Sequence, residues 1–233
     1  MAGDRSERLL ALLADAENGL PVVRRICEVC VCELAVSGAG VSVMGGGPAA
    51  DGSQVLVHAS GEVSAQLESL QLTVGEGPSV EAYTSGGPVL IPDIDVEYAR
   101  WPAFTPGAQS LGVVAMFSFP LQVGAARMGV LDLHRSTRGS LTAGQLTDAF
   151  TLVEASTVAL LDDIDAPHAM GPSWLGNMHN GVHQATGIVT VQLGVSLAEA
   201  LIRIRAYAYA NQVTLNDVGR RIVDGELRLE MES

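Results

Sequence analysis

Hydrophobic residues near the start of the chain recur at steps of three and four. Leu9, Leu10, Leu12 and Leu13 give residues 6–16 one broad apolar face. Residues 20–36 repeat the spacing and end before "SGAG". Both patterns are typical of amphipathic helices. Two helices are therefore predicted over 6–16 and 20–36.

The next stretch favours strands. Residues 40–45 and 54–61 flank the turn-rich segment "GGPAADGS", which suits a hairpin connection. Residues 65–86 read as a loop or short helix followed by a helix whose first turn holds Pro78. Residues 88–93 read as a short strand, and 98–112 as an ordered connection.

Two longer strands are predicted over 113–123 and 128–136, joined by a tight turn. Because side chains alternate along a strand, one face of the second strand should carry Val130, Asp132 and His134, and the other face Leu131 and Leu133. Helices followed by antiparallel strands indicate an α+β domain, with a central antiparallel sheet and helices packed on one side.

A connecting helix follows. Thr142 and Gln145 form a capping box. Apolar and Thr positions then step by three and four, at Leu146, Phe150, Val153, Thr157, Leu160 and Ile164. This stripe fits a helix docked on its own sheet, a short coiled-coil dimer seam, or a helix that serves both purposes.

A linker over 165–173, with two prolines and a glycine, precedes a helical tail. Three short helices are predicted there. The first ends at Gly194, and capping boxes at Ser196/Glu199 and Thr214/Asp217 start the other two. The expected buried positions are Leu175, Met178, Val182, Ala185 and Val189 on the first helix, Leu197, Leu201, Ile204 and Ala208 on the second, and Leu215, Val218 and Ile222 on the third.

The predicted domain boundaries are 1–140 for the sheet domain, 141–173 for the connecting helix and linker, and 174–233 for the tail. About fifty residues bury little core alone, so a dimer is expected. Gly187, inside the first tail helix, costs about 1 kcal/mol relative to Ala, which suggests that a neighbouring helix or a ligand approaches it closely.

Charged residues are distributed unevenly along the chain. Residues 1–173 hold eight arginines and twenty acids, whereas 174–223 hold four arginines and two acids. The formal net charge is -13, and the basic residues are all arginines. The acidic front argues against nonspecific nucleic-acid binding by the whole protein but allows a local contact through the tail. The N-terminal segment mixes acids and arginines with leucines, unlike a signal peptide, so a cytoplasmic protein without a membrane partner is expected.

The chain offers little for catalysis or metal binding. Cys27 and Cys30 should share a helix face, with Cys32 pointing elsewhere. They read as small core residues, with a redox or metal sensor as the alternative. His58 and His134 read as ordinary strand histidines, although each could ligate a haem or metal. No phosphate-binding loop or activated nucleophile is recognisable. We expect neither enzyme activity nor a cofactor or metal.

Several segments carry a resemblance to a known family. Residues 72–162 include "LTVGEGPSVEAYTSGGPVLIPDI", "RWPAF" and "GVVAMFSFPLQVGAARMGVLDLHRSTRGSLT". They resemble GAF domains of actinobacterial GAF–ANTAR transcription antitermination regulators. The tail, "HQATGIVTVQLGVSLAEALIRIRAYAYANQVTLNDVGRRIV", looks like an ANTAR domain.

The resemblance implies a fold and a function. A GAF-like sheet flanked by helices would lead through the connecting helix to a three-helix ANTAR bundle. As a homodimer, the bundle would bind paired RNA hairpins in nascent transcripts and prevent termination, under control of a small-molecule ligand in the GAF domain.

The residues themselves suggest where RNA would bind, since unpaired bases stack on aromatic and guanidinium planes. Arg203 with Tyr207, and Arg205 with Tyr209, are each four apart, outside or at the edge of the predicted buried stripe. The alternative is that these arginines are solvated and the tyrosines complete the core. Thr186 stands where the family usually has Lys. The candidate RNA-binding residues are Gln184, Thr186, Gly187, Arg203, Arg205, Tyr207, Tyr209 and Arg220.

The family resemblance places a ligand pocket between the sheet and its connections. The candidate lining residues are Glu76, Ser79, Tyr83, Asp93, Trp101 and Phe104. The alternative function is a GAF sensor or scaffold whose tail dimerises or binds a protein partner without RNA.

Overall fold

The computed structural model describes residues 2–14, 22–44, 54–165 and 181–230. The helices within them are α1 (Ala2–Ala14), α2 (Val22–Leu34), α3 (Glu62–Val74), α4 (Pro78–Ser85), α5 (Phe104–Ser110), α6 (Ala143–Asp165), α7 (Gly181–Leu193), α8 (Leu197–Ala210) and α9 (Leu215–Val223), with a 3₁₀ turn at Ile94–Glu97. The strands are β1 (Gly38–Met44), β2 (Gln54–Ala59), β3 (Val89–Ile91), β4 (Ala115–Val123) and β5 (Ala126–Arg135). We call residues 2–165 the sheet domain and α7–α9 with residues 224–230 the tail bundle.

The five strands form one antiparallel sheet in the order β2-β1-β5-β4-β3. The pairing of β1 with β2 confirms the predicted hairpin, although most of its connection lies outside the described residues. In β5, Leu131 and Leu133 join one core and Val130 the other. The predicted alternation along this strand is therefore confirmed.

Helices cover both faces of the sheet, so the prediction of helices on one side was wrong. One core joins α1, α2 and α6 to the sheet, and the second joins α3, α4 and α5 to its opposite face. The reason is visible in β4, where the adjacent residues Met116 and Phe117 are both buried, Met116 in one core and Phe117 in the other. A strand with apolar residues on both faces requires a layer on each side.

The α3 helix is longer than the loop or short helix predicted there. It runs for 13 residues and ends at Gly75, whose left-handed φ of 72° and backbone N–H to Gln71 O close the last turn. Its N-cap residue, Gly61, offers no side-chain cap. Because polar residues such as Glu68 and Gln71 are buried beside its leucines, the apolar periodicity is weak.

The α6 helix begins with the predicted capping box. Gln145 N donates to Thr142 Oγ1 over 3.2 Å, and Thr142 N donates to Gln145 Oε1 over 2.9 Å. Leu160 is buried in the sheet domain, but Phe150 and Ile164 of the same predicted stripe are 48% and 45% exposed. The helix docks on its own sheet and leaves part of its stripe outward.

The tail bundle has its own core. The predicted caps are present, since Glu199 N donates to Ser196 Oγ over 3.2 Å and Asp217 N donates to Thr214 Oγ1 over 3.1 Å. Gly194 ends α7 with a φ of 65°. The central residues are Val182, Ala185, Val189, Ala200, Leu201, Ile204, Ala208, Leu215, Val218 and Ile222.

Two details of the tail differ from the sequence prediction. Leu197 is 54% exposed rather than buried, and Ala200 takes its place in the core. Leu197 is the first residue of α8, where the helix has not yet entered the bundle. The predicted core residues Leu175 and Met178, and most of the 165–173 linker, lie outside the described residues.

The close helix crossing in the tail is not at Gly187. A Cβ on Gly187 would meet nothing within 4 Å, so no described neighbouring helix approaches it. Instead α7 crosses α9 at Gly181 and Gly219, where a Cβ on Gly219 would lie 2.7 Å from Val182 N. Only a residue without a side chain fits at that crossing.

Candidate functional site

A buried group of polar side chains lies between α3, α4 and the sheet. Its members, which we call the polar cluster, are Ser42, Ser64, Glu68, Ser79, Ser118, Asp132 and His134. They come from β1, α3, α4, β4 and β5, so the sheet and both helices must be in place before the cluster exists.

Glu68 and Asp132 form the centre of the polar cluster and hydrogen-bond to each other. Glu68 Oε2 accepts from Ser42 Oγ and Gln54 Nε2, each over 2.7 Å. Burial, followed by the adjacent Asp132 carboxyl, raises the pKa of Glu68 well above its ordinary value.

Asp132 is held differently. Its two oxygens accept from the hydroxyls of Ser118 and Ser79. Burial raises the pKa of Asp132, while the hydrogen bonds from Glu68 and the serines oppose that rise. The arrangement places the shared proton on Glu68, which donates it toward the Asp132 carboxylate.

His134 occupies the other end of the polar cluster. Its Nε2 lies 3.0 Å from Ser64 Oγ, and burial lowers the pKa of His134 to about 4. The imidazole is therefore neutral at physiological pH. Among the described side chains, the residual space around His134, Glu68 and Asp132 does not admit a water molecule.

The predicted ligand-lining residues have structural partners and do not line this space. Glu76 Oε1 accepts from the backbone N–H groups of Ala103 and Phe104, over 2.6 and 3.0 Å, and so caps the start of α5. Trp101 and Phe104 pack edge to face in the core with ring centroids 6.3 Å apart.

The other three predicted ligand residues are dispersed. Ser79 belongs to the polar cluster. Tyr83 is half-buried, and its hydroxyl donates to Met44 O over 3.3 Å. Asp93 caps the 3₁₀ turn and pairs with Arg138 over 2.9 Å. A ligand role for the six residues stays a prediction.

The sequence reading missed Glu68, Ser42 and Ser118. A signal was present in α3, where Ser64, Glu68 and Gln71 recur at helical spacing beside the apolar stripe. Nothing in the sequence, however, indicated that this stripe faces Asp132.

The predicted RNA-binding residues fall into two groups. Gln184, Tyr209 and Arg220 are exposed, and Arg203 and Tyr207 are half-buried. Arg203 pairs with Glu199 over 2.8 Å, and Arg220 pairs with Asp217 over 3.0 Å. Exposed ion pairs of this kind are weak enough to exchange for other partners.

Thr186 and Arg205 are not presented outward. Thr186 is 3% exposed, and its hydroxyl donates to Val182 O of its own helix over 2.7 Å. Arg205, predicted outside or at the edge of the buried stripe of α8, is half-buried and faces the sheet domain. Its Nε donates to Leu72 O, at the end of α3, over 3.2 Å. Burial there lowers the pKa of Arg205.

Residues after α9 add to the tail surface. The backbone N–H groups of Glu226 and Leu227 donate to Arg221 O, which turns the chain back. Arg228 then lines an open depression of about 850 Å³ together with Arg203, Tyr207 and Asn211. The sequence reading did not include Arg228 among the candidates.

A groove of about 770 Å³ separates part of the tail bundle from the sheet domain. Leu70 and Val74 of α3 line one wall, and Tyr209 and Val213 line the other. The two units therefore touch over a limited area next to open space.

The three cysteines differ in burial and in thiol pKa. Cys27 and Cys30 are buried, as predicted for small core residues, whereas Cys32 is exposed and lies outside the core. Burial raises the pKa of Cys27 to about 12 and that of Cys30 well above its ordinary value. The described residues contain no cluster of three or more His, Cys, Asp or Glu side chains suited to a metal ion.

Within the described ranges, no single helix has both the length and the apolar character needed to cross a bilayer. The pair α7 and α8 meets those two criteria only when joined across a 108° bend.

Comparison with known proteins identifies the family of the sheet domain. Residues 22–160 match the family model described as the GAF domain. The fold is similar to the GAF domain of the Acinetobacter phosphoenolpyruvate-protein phosphotransferase, with a TM-score of 0.51 and 11% identity over 69% of this chain and 93% of that one. The corresponding Coxiella burnetii domain gives a TM-score of 0.51 and 17% identity over 68% and 93%. No curated protein shows significant sequence similarity to the chain.

Proposed function

The chain belongs to the GAF domain family, and we propose that it is a signal-responsive regulator whose tail bundle binds paired RNA hairpins in nascent transcripts. Binding would prevent formation of a terminator, under control of the sheet domain. The supporting observation is the tail surface formed by Arg203, Tyr207 and Arg228.

The chemistry of this surface suits RNA loops. Arg203 and Tyr207 are four residues apart on α8, and Arg228 approaches from the returning segment. A tyrosine ring offers a plane for an unpaired base, while guanidinium groups contact phosphates or stack on bases. Glu230 also lines the depression, so phosphate contacts are few and a shallow salt dependence is expected.

The direct test measures RNA binding by the full chain. The probe is a pair of tandem stem-loops, titrated at low and at moderate salt. Arg203→Ala with Tyr207→Ala should weaken binding by about 1–3 kcal/mol for each lost stacking partner. Arg24→Ala is the matched control, because this arginine is exposed on the sheet domain and pairs with Glu28 as Arg203 pairs with Glu199. Equal RNA affinity of the two variants would exclude the tail surface as the RNA-binding site.

A second candidate function has its own support. The tail bundle exposes large aliphatic side chains, with Val191 85%, Ile202 63% and Leu197 54% exposed. Such residues favour a protein contact. The alternative is thus a sensor or scaffold whose tail dimerises or binds a protein. If this alternative holds through dimerisation, Ile202→Glu should abolish dimers in analytical ultracentrifugation. The native chain should also fail to bind the tandem stem-loops.

A further inference from the structure

Arg205 connects the tail bundle to the sheet domain. Its Nε donates to the Leu72 carbonyl over 3.2 Å. Its guanidinium also lies against Gly75, where a Cβ would come within 2.8 Å of Nη1. The side chain reaches across to the last turn of α3, although Arg205 and Leu72 are 133 residues apart in sequence.

A second polar contact lies beside the first. The Leu215 backbone N–H, at the start of α9, donates to Thr73 Oγ1 over 3.2 Å. Leu72 itself packs into the tail core and is 8% exposed. We call these interactions of Leu72, Thr73 and Gly75 with Arg205 and Leu215 the α3–tail contact.

The contact satisfies groups that helices leave unpaired. The last four carbonyls of an α-helix have no partner within the helix, and its C-terminus attracts cations. Arg205 supplies a cation to a carbonyl at the end of α3. In return, Thr73 accepts one of the N–H groups that α9 leaves unpaired at its start. Each unit thus completes a helix end of the other.

The same helix reaches the polar cluster. Glu68 on α3 bonds Ser42 and Asp132 one turn before Leu72. Glu76, just after α3, holds the start of α5 through two backbone N–H groups. Because a helix moves as a rigid element, a shift of α3 that rearranges the polar cluster also displaces Leu72 and Thr73.

We propose that the end of α3 is an autoinhibitory docking surface for the tail bundle. In the docked state the α3–tail contact holds the Arg205 guanidinium away from RNA. A signal that displaces α3 within the sheet domain breaks the contact and frees the Arg205 guanidinium. Because Arg205 lies on the side of α8 away from Arg203, it then gives RNA an additional phosphate contact beside the tail surface. This inference rests on the proposed RNA-binding function. The open groove beside the contact limits the area that must separate.

The test begins with a change on the sheet-domain side only. Leu72→Gln removes apolar packing on the tail without adding a charge that RNA would sense, and it leaves every tail residue intact. Amide hydrogen exchange of the full chain should then accelerate at Leu215 and across residues 205–215. The affinity for the tandem stem-loops should rise by roughly 5- to 150-fold, the usual range of coupling between two sites. Arg205→Ala added to this variant should remove most of the gain.

A glycine pair supplies a matched second variant. Gly75 and Gly194 both end a helix with a left-handed φ, of 72° and 65°. A methyl group strains the backbone equally at both, but at Gly75 it also meets the Arg205 guanidinium, whereas at Gly194 it meets nothing within 4 Å. Gly75→Ala should therefore accelerate exchange at Leu215 and raise RNA affinity, and Gly194→Ala should do neither.

The outcomes separate the two proposals. Faster exchange with tighter RNA binding supports autoinhibition. Faster exchange with unchanged RNA affinity overturns it while leaving the RNA-binding function in place. Faster exchange in a protein that binds no RNA in any variant overturns the RNA-binding function and the regulation built on it. Unchanged exchange in both variants overturns the α3–tail contact itself.

Discussion

Glu68 on α3 and Asp132 on β5 are both buried and hydrogen-bond to each other. Two carboxyl groups so close together cannot both ionise without a large cost. The surrounding hydroxyls favour the charge on Asp132 and leave the proton on Glu68. This pair makes the stability of the sheet domain depend on pH.

Glu68→Gln should change that dependence. Because the pKa of Glu68 is raised above its ordinary value of 4.5, the folded chain holds a proton that the unfolded chain releases. The stability of the native protein therefore falls as pH rises above about 4.5. The Glu68→Gln variant should be more stable than the native chain at pH 7–8, by on the order of 1–3 kcal/mol, and should lose this advantage near pH 4.5. Urea denaturation across this range provides the measurement. Parallel curves for the two proteins would contradict a shared proton.

His134 should act in the opposite direction. Its pKa falls from an ordinary 6.5 to about 4. Between these pH values the unfolded chain binds a proton at His134 that the folded chain does not bind. His134 therefore costs stability as pH falls from 6.5 to 4, on the order of 2–3 kcal/mol. His134→Gln retains a partner for Ser64 and should remove this loss. The difference between the two urea-denaturation profiles isolates the contribution of His134 to stability. A difference that stays constant from pH 7 to 4 would disprove this contribution.

Two glycines of the tail should respond oppositely to alanine. Gly219→Ala forces a methyl group against the α7 backbone, with Val182 N at 2.7 Å, and should destabilise the tail by about 1–3 kcal/mol or more. Gly187→Ala meets no neighbour and should stabilise α7 by about 1 kcal/mol. Thermal unfolding of the full chain gives both values. The helix-crossing geometry would be refuted by similar effects at the two positions.

The three thiols should differ in reactivity. Cys32 is exposed, whereas burial raises the pKa of Cys27 to about 12 and also raises that of Cys30. Since the thiolate is the reactive form, a disulfide reagent at pH 8 should titrate one thiol rapidly in the native chain. The other two should react only in denaturant. Cys32→Ser should abolish the rapid phase, and three rapid thiols would revive the redox-sensor alternative.

Local features of the structure were predictable because neighbouring residues determine them. The caps at Thr142, Ser196 and Thr214 formed as predicted, since a side chain three residues away supplies each hydrogen bond. The alternation of side chains along β5 was equally predictable, because successive side chains of a strand must point to opposite faces.

The burial of residues at helix ends and of polar residues within helices was harder to predict from the sequence. Leu197 fits the apolar spacing of α8 but lies where the helix has not yet met the bundle. The α3 pattern was obscured because Glu68 and Gln71 are buried among its apolar residues. Burial of a polar residue depends on partners that come from other strands.

By itself, then, the sequence determined the helices of the tail, the alternation of side chains along β5 and the family to which residues 22–160 belong. The tertiary structure decided that Glu68 meets Asp132, that Gly219 rather than Gly187 marks the helix crossing, and that Arg205 reaches Leu72. Each of these pairs joins segments far apart in the chain. Their contact follows from how whole layers pack, which no local pattern of residues encodes.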